Sequence, residues 1–227
     1  MSKGKSGTEN LPPGADPKAF TDLLFGRVAA EDIAIYDSTD LNRFATGALE
    51  QLARARKPRI THVSLRDEAV DHAGVRRQIT IVEVINDNMP FLLDSTLSEL
   101  ADQGIEPNLV AHPIVAVARD GDGALTRLAG DASARAPEGT QRESVIHVHI
   151  DWLPDSDARA RLAAGLEKVY ADVTVAVDDW SQMRARLATA MQAYRNNPPP
   201  LPDEEMAEAM RFLDWISADN FTFLGMR

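Results

Sequence analysis

Apolar positions near the start of the chain recur three to five residues apart: Phe20, Leu23, Leu24 and Val28, then Leu41, Phe44, Leu49 and Leu52. That spacing gathers side chains on one face of a helix, so short buried helices are expected before Pro58, the second capped by Thr39 or Asp40. Past Pro58 the period changes to two. Ile60, His62 and Ser64 alternate with Thr61, Val63 and Leu65, which predicts a strand over 59–66, a polar turn from Asp67 to Gly74, and a return strand. Ile79 to Ile85 is apolar except at Thr80 and Glu83, as in a strand covered on both faces and central in its sheet.

A strand, loop and helix unit follows. Asn86 to Pro90 forms the loop, and Leu93, Leu97 and Leu100 mark a helix ended by Gly104. Leu109 to Arg119 reads as a strand that Pro113, lacking an N–H, assigns to an edge or bulge. Asp120-Gly121-Asp122-Gly123 is a turn, and Ala124 to Leu128 a short returning strand. In Glu143 to Asp151, Ile146, Val148 and Ile150 take one face and Val145, His147 and His149 the other. Ala158, Leu162, Leu166 and Val169 form the stripe of a second helix, and Asp172 to Val177, rich in β-branched residues, reads as a closing strand. The order β-α-β-β-α-β predicts an α+β, ferredoxin-like antiparallel sheet carrying two helices, flanked by further helices at both ends.

The expected organisation is a disordered tail over 1–16, a helical segment over 17–57, the α+β domain over 58–178, a connecting helix over 179–197, and over 198–227 a proline-rich linker opening a following domain. Within the last section Met206, Met210 and Leu213 face inward from a helix, and Phe221 to Met226 begins a strand whose ladder needs further chain, so the sequence reads as a fragment.

Composition narrows the chemistry. The 44% hydrophobic and 26% charged residues are those of a globular chain, and a net charge of -11 argues against nucleic acid as a partner. With no Cys there is no thiolate chemistry, and the Lys-bearing N-terminus has no apolar stretch of signal-peptide type. No run is long enough to cross a bilayer, and a cytoplasmic location is expected. Gly121-Asp122-Gly123 lacks the third glycine and following helix of a dinucleotide-binding turn. His147 and His149 share a strand face and, with His112, have ligand-type chemistry; without a nearby acid, hydrogen bonding on a half-exposed face is the expected role, and no metal site is assigned. Asp87 and Asp94 are explained by the helix N-terminus beside them.

The run Val82-Glu83-Val84-Ile85-Asn86-Asp87-Asn88-Met89-Pro90-Phe91-Leu92-Leu93-Asp94-Ser95 resembles a signature of the large bacterial NAD-specific glutamate dehydrogenases. His112-Pro113, Arg119-Asp120, Glu143-Ser144 and Asn220-Phe221-Thr222-Phe223-Leu224-Gly225 follow in that family's order. The resemblance implies an ACT-type regulatory region of an oxidoreductase of amino-acid catabolism. The parent would use NAD to convert L-glutamate to 2-oxoglutarate and ammonium, with its catalytic domains downstream. This region itself is expected to be non-catalytic and cofactor-free, with those downstream domains and like subunits of a homo-oligomer as partners. The alternative is an ACT module sensing an amino-acid effector at the 86–91 loop, where Asn86, Asp87, Asn88 and Met89 would bind it. Phe91 stands where such loops carry a glycine, and a bulky ring there hinders backbone approach to a ligand.

Overall fold

The structure, a computed structural model, describes residues 15–72 and 75–220. Most of the expected tail and the strand expected from Phe221 to Met226 lie outside the described residues. The chain divides into two compact units, 1–170 and 171–227.

The first unit opens with α1 (Pro17–Phe25), α2 (Ala30–Ile33) and α3 (Ser38–Ala53). Asp16 caps α1 by accepting the Lys18 amide, and Pro17 at the first helical position needs no partner for a missing N–H. The cap of α3 is Asp37, accepting from the Asp40 amide at 2.8 Å, and neither Thr39 nor Asp40 as the sequence had indicated. Thr39 and Asp40 lie inside the first turn, where the Asp40 carboxylate suits the positive end of the helix.

Six strands form one antiparallel sheet: β1 (His62–His72), β2 (Val75–Asp87), β3 (Pro107–Ala111), β4 (Ile114–Arg119), β5 (Leu125–Asp131) and β6 (Gln141–Asp151). Their order is β1-β2-β6-β4-β5, with β3 also paired to β6. With α4 (Leu92–Asp102) and α5 (Ser156–Asn196), this is the α+β antiparallel architecture of the ACT-like, ferredoxin type.

Three sequence expectations change in detail. The turn expected from Asp67 to Gly74 is mostly strand, because β1 pairs with β2 from His62↔Ile85 to His72↔Val75; polar residues there sit on an edge strand, which water can reach. Pro113 lies in a break between β3 and β4, not on an edge. Its carbonyl still accepts the Val145 amide at 3.0 Å, and β5 covers the outer side of β4.

The largest change concerns Asp172 to Val177, which is helical within the continuous α5. Val173 is buried whereas Val175 is 61% exposed, so the period across the segment is not two. Buried positions at Leu162, Leu166, Tyr170 and Val173 carry one helical stripe straight through it. The place beside β2 that a closing strand would take is filled by β1. β-Branched propensity is a weak preference, and with no ladder left to join, the helical stripe prevails.

The sheet is covered on both faces. Odd-numbered β2 and β6 residues such as Ile81, Ile85 and Val145 pack with Phe20, Leu24, Phe44, Leu49 and Leu52 of α1 and α3 in one buried cluster. The other face presents Val82, Val84, Ile146, Val148 and Ile150, all buried, on the side of α4 and α5. These two helices meet where the Thr96 and Tyr170 hydroxyls bond at 2.7 Å, and burial drives the Tyr170 phenol above its usual range. In the second unit, Met183, Leu187 and Met191 are buried on α5, while α6 (Asp203–Trp215) ends in a π-helical turn over Ile216–Asn220. Arg195 pairs with Asp214 at 3.0 Å.

Candidate functional site

Two polar assemblies lie within the sheet, joined through β2 and β6. The first surrounds the β2–α4 loop. Asp87 ends β2 opposite Glu143 of β6, and both carboxylates are gripped by Arg56 from the segment after α3, at 2.6 Å each. Arg119 of β4 holds Glu143 with two bonds, Nε to Oε1 at 2.7 Å and an Nη to Oε2 at 2.8 Å. Its remaining donors reach the Leu52 and Arg54 carbonyls at the end of α3 and the Gly123 carbonyl of the β4–β5 turn. Gly123 has φ +86°, and a Cβ there would come within 2.5 Å of the Arg56 carbonyl oxygen, so only glycine lets this turn dock. Burial raises the Glu143 carboxyl, but Arg119 and Arg56 outweigh it and hold the group below the usual carboxylate range.

The four residues Asn86, Asp87, Asn88 and Met89 accordingly have distinct surroundings. Asp87 is occupied by Arg56 and by the Arg59 amide at 2.8 Å. The Asn88 amide donates to the Arg142 carbonyl at 3.0 Å, and Met89 follows in the loop. Asn86 is buried on the opposite face. Its Oδ1 accepts the Asp87 amide, while its Nδ2 has no partner. Asn86 lies opposite Ser144, whose hydroxyl bonds His112 Nε2, and α4 begins at Leu92 with no side-chain cap. Phe91 adopts φ 70°, the left-handed conformation that a glycine takes freely, and the residue is 42% exposed.

The second assembly is a buried hydrogen-bond chain. Tyr36 Oη lies 2.8 Å from His149 Nδ1, His149 Nε2 lies 2.9 Å from His147 Nε2, and His147 Nδ1 lies 3.0 Å from Glu83 Oε1. The four groups form one unbroken run of hydrogen bonds, with donor and acceptor roles set by the tautomers of the two rings. Arg66 completes Glu83 with an ion pair at 3.2 Å. The histidine face is therefore fully buried, not half-exposed, because α1 to α3 cover it; an acid, Glu83, also stands beside His147. His112 does not join the pair, since its partner Ser144 is on the other face. Among the described residues no cluster of three or more His, Asp or Glu is arranged to hold a metal ion.

Burial, then Asp40 and Asp32, push the Tyr36 hydroxyl up to about 12, so it keeps its proton at neutral pH. Burial above all, with His147 and Arg66, holds His149 well below its ordinary 6.5. A group with a depressed folded value contributes stability that is complete above its unfolded value and is lost as pH falls below it. Stability should decline below about pH 6.5, by at most about 1.4 kcal/mol per pH unit for this one proton. His62 and His112, both lowered mainly by burial, add to the slope. Denaturant unfolding of His149→Gln at a series of pH values should show a shallower acid-side slope, and an unaltered slope would remove His149 as its source.

Sequence reading missed Arg56 altogether and treated Glu83 only as an interruption. The available signal was an ionisable residue inside an apolar strand, which must have an opposite charge or donor within reach.

The sequence pattern of the family described as glutamate dehydrogenase, ACT1 domain, matches residues 20–166. The chain belongs to that family. The match spans α1 to the first part of α5, so the N-terminal helices and both polar assemblies fall within the ACT1 region. The NAD-specific glutamate dehydrogenase of Halomonas elongata is 31% identical over 212 residues, which are 93% of this chain and 13% of that protein. That of Pseudomonas aeruginosa is 24% identical over 211 residues, 91% of this chain and 12% of the relative. The ACT1-family chain thus spans a small part of the length of these relatives. No solved structure matches it. No helix among the described residues is long and apolar enough to cross a membrane.

Proposed function

We propose that this chain is a non-catalytic regulatory and assembly region of a NAD-dependent glutamate dehydrogenase, the parent reaction being L-glutamate, NAD and water to 2-oxoglutarate, ammonium and NADH. The observation that carries this is the ACT1 match over most of the chain, together with NAD-specific glutamate dehydrogenases as relatives of far greater length. The site geometry agrees with it. The two carboxylates buried in the sheet, Glu83 and Glu143, are neutralised by Arg66, Arg56 and Arg119, an arrangement that fixes elements in place and offers no opening to substrate. Catalysis and the NAD site then belong to downstream domains of a cytoplasmic homo-oligomer, and this region holds or transmits their arrangement. Incubating the chain with L-glutamate and NAD should give no NADH, and deleting it from the full-length enzyme should alter oligomeric mass in light scattering. NADH formation by the chain alone, or an intact oligomer without it, would overturn the corresponding part.

A second reading, effector sensing at the β2–α4 loop, is favoured by the unpartnered Asn86 amide beside a helix start with no side-chain cap. An amino-acid carboxylate is the natural ligand for such donors. Calorimetric titration with the common amino acids tests it; heat that disappears in Asn86→Leu supports sensing, and silence across the panel removes it.

A further inference from the structure

At the end of the sheet opposite the β2–α4 loop, the α4–β3 and β6–α5 connections border a half-open cleft of about 270 Å3. Ile105, Ile150 and Leu153 supply apolar lining, Trp152 an aromatic one, and Glu106 and Asp151 two carboxylates. We infer that this cleft binds an organic cation, a guanidinium or alkylammonium group on a short aliphatic stem.

Three observations converge on that chemistry. Trp152 is 51% exposed and contributes to lowering the nearby Asp67 carboxyl, which Arg159 and Thr80 hold by hydrogen bonds. A large aromatic surface is thus in contact with water, where its face can take a cation. Next, Glu106 just before β3 and Asp151 at the end of β6 both line the cleft, at the end of the sheet where Pro107 pairs with Ile150. Neither has a basic partner: Asp151 accepts only the Asn108 amide at 3.0 Å, and Glu106 has no hydrogen bond or ion pair within the described residues. Finally, the lining is mixed in the way such a ligand needs, aliphatic for the stem and anionic for the head, within a volume suited to one side-chain-sized group. The source of the cation is either a free basic metabolite or a basic side chain of another protein surface.

Nuclear magnetic resonance titration of the 227-residue chain distinguishes these. The probes are L-arginine, its neutral counterpart L-citrulline, and a terminally blocked Gly-Arg-Gly peptide, read on the backbone amides of residues 104–106 and 150–153. Arginine and peptide should shift these signals while citrulline does not, and Glu106→Gln with Asp151→Asn should weaken binding about tenfold with the thermal midpoint retained. Response to the peptide alone assigns the site to a partner's basic side chain; response to free arginine as well assigns it to a small cation. Equal shifts with citrulline, shifts confined to other residues, or no response to any probe overturn the inference. None of these readouts involves glutamate turnover or the β2–α4 loop, so the outcome is separate from that of the proposed function.

Discussion

Glu143→Ala should destabilise the first unit by about 3–5 kcal/mol, among the largest effects of any single polar substitution in the chain. Glu143 is fully buried and is the common acceptor of Arg119, Arg56 and Gln141. Its removal leaves two guanidinium groups inside the protein, with Arg119 only 4% and Arg56 only 3% exposed at the side chain, and Asp87 as the one remaining carboxylate in contact with Arg56. The cost arises from stranded charge more than from lost attraction, because a buried ion pair contributes modestly relative to an apolar replacement of the whole group. Arg119 would also lose the geometry that lets it bind the Leu52 and Arg54 carbonyls, so the end of α3 should loosen with it. Urea unfolding would show a lower midpoint, and hydrogen exchange should rise at the ends of α3 and β2. Adding Arg119→Leu to Glu143→Leu should recover part of the loss; if the double variant is as damaged as the sum of the single ones, the stranded-charge explanation is wrong.

The second large effect is expected at Phe44. Its side chain is fully buried in α3, edge-on to Tyr36 at 5.4 Å and to His149 at 4.8 Å between ring centroids. Phe44→Ala removes a full aromatic volume from the seam between the N-terminal helices and the sheet, with an expected cost of about 3–5 kcal/mol. About 0.5–1.5 kcal/mol of that reflects ring–ring geometry beyond simple burial. The cavity would lie beside the Tyr36–His149–His147–Glu83 chain, so water entry should relieve the burial that holds His149 below its ordinary value and make the acid-side loss of stability shallower. Phe44→Leu, which preserves more volume, should cost appreciably less. Calorimetric unfolding of the two variants at neutral and mildly acid pH reads both effects, and equal stabilities for Ala and Leu would show that the seam is not packed as described.

Both predictions concern the face of the sheet that α1 to α3 cover, and this is where the sequence was least informative. Alternation in β6 separated His147 and His149 from Ile146, Val148 and Ile150, as the structure has it. Period alone, however, cannot say what lies against a face. A strand with histidines on one side is as compatible with water as with a layer of helices until those helices are placed. Likewise Glu83 and Glu143 were visible as charges in apolar strands, but their partners Arg66, Arg56 and Arg119 come from different elements.

Sequence by itself determined the local elements: helix stripes around Phe44 and Leu100, the central strand around Val82, the turn at Gly123 and the α+β order, together with the family resemblance carried by residues 82–95. These are short-range features, set by periodicity, capping and backbone conformation. Tertiary structure alone decided that β1 takes the place beside β2, that Asp172 to Val177 therefore stays helical, that both sheet faces are buried, and that Arg56 joins Asp87 to Glu143. The physical reason is common to all four. Each depends on which of several competing partners reaches a strand edge, a face or a charge first, and that competition is settled between residues far apart in the chain.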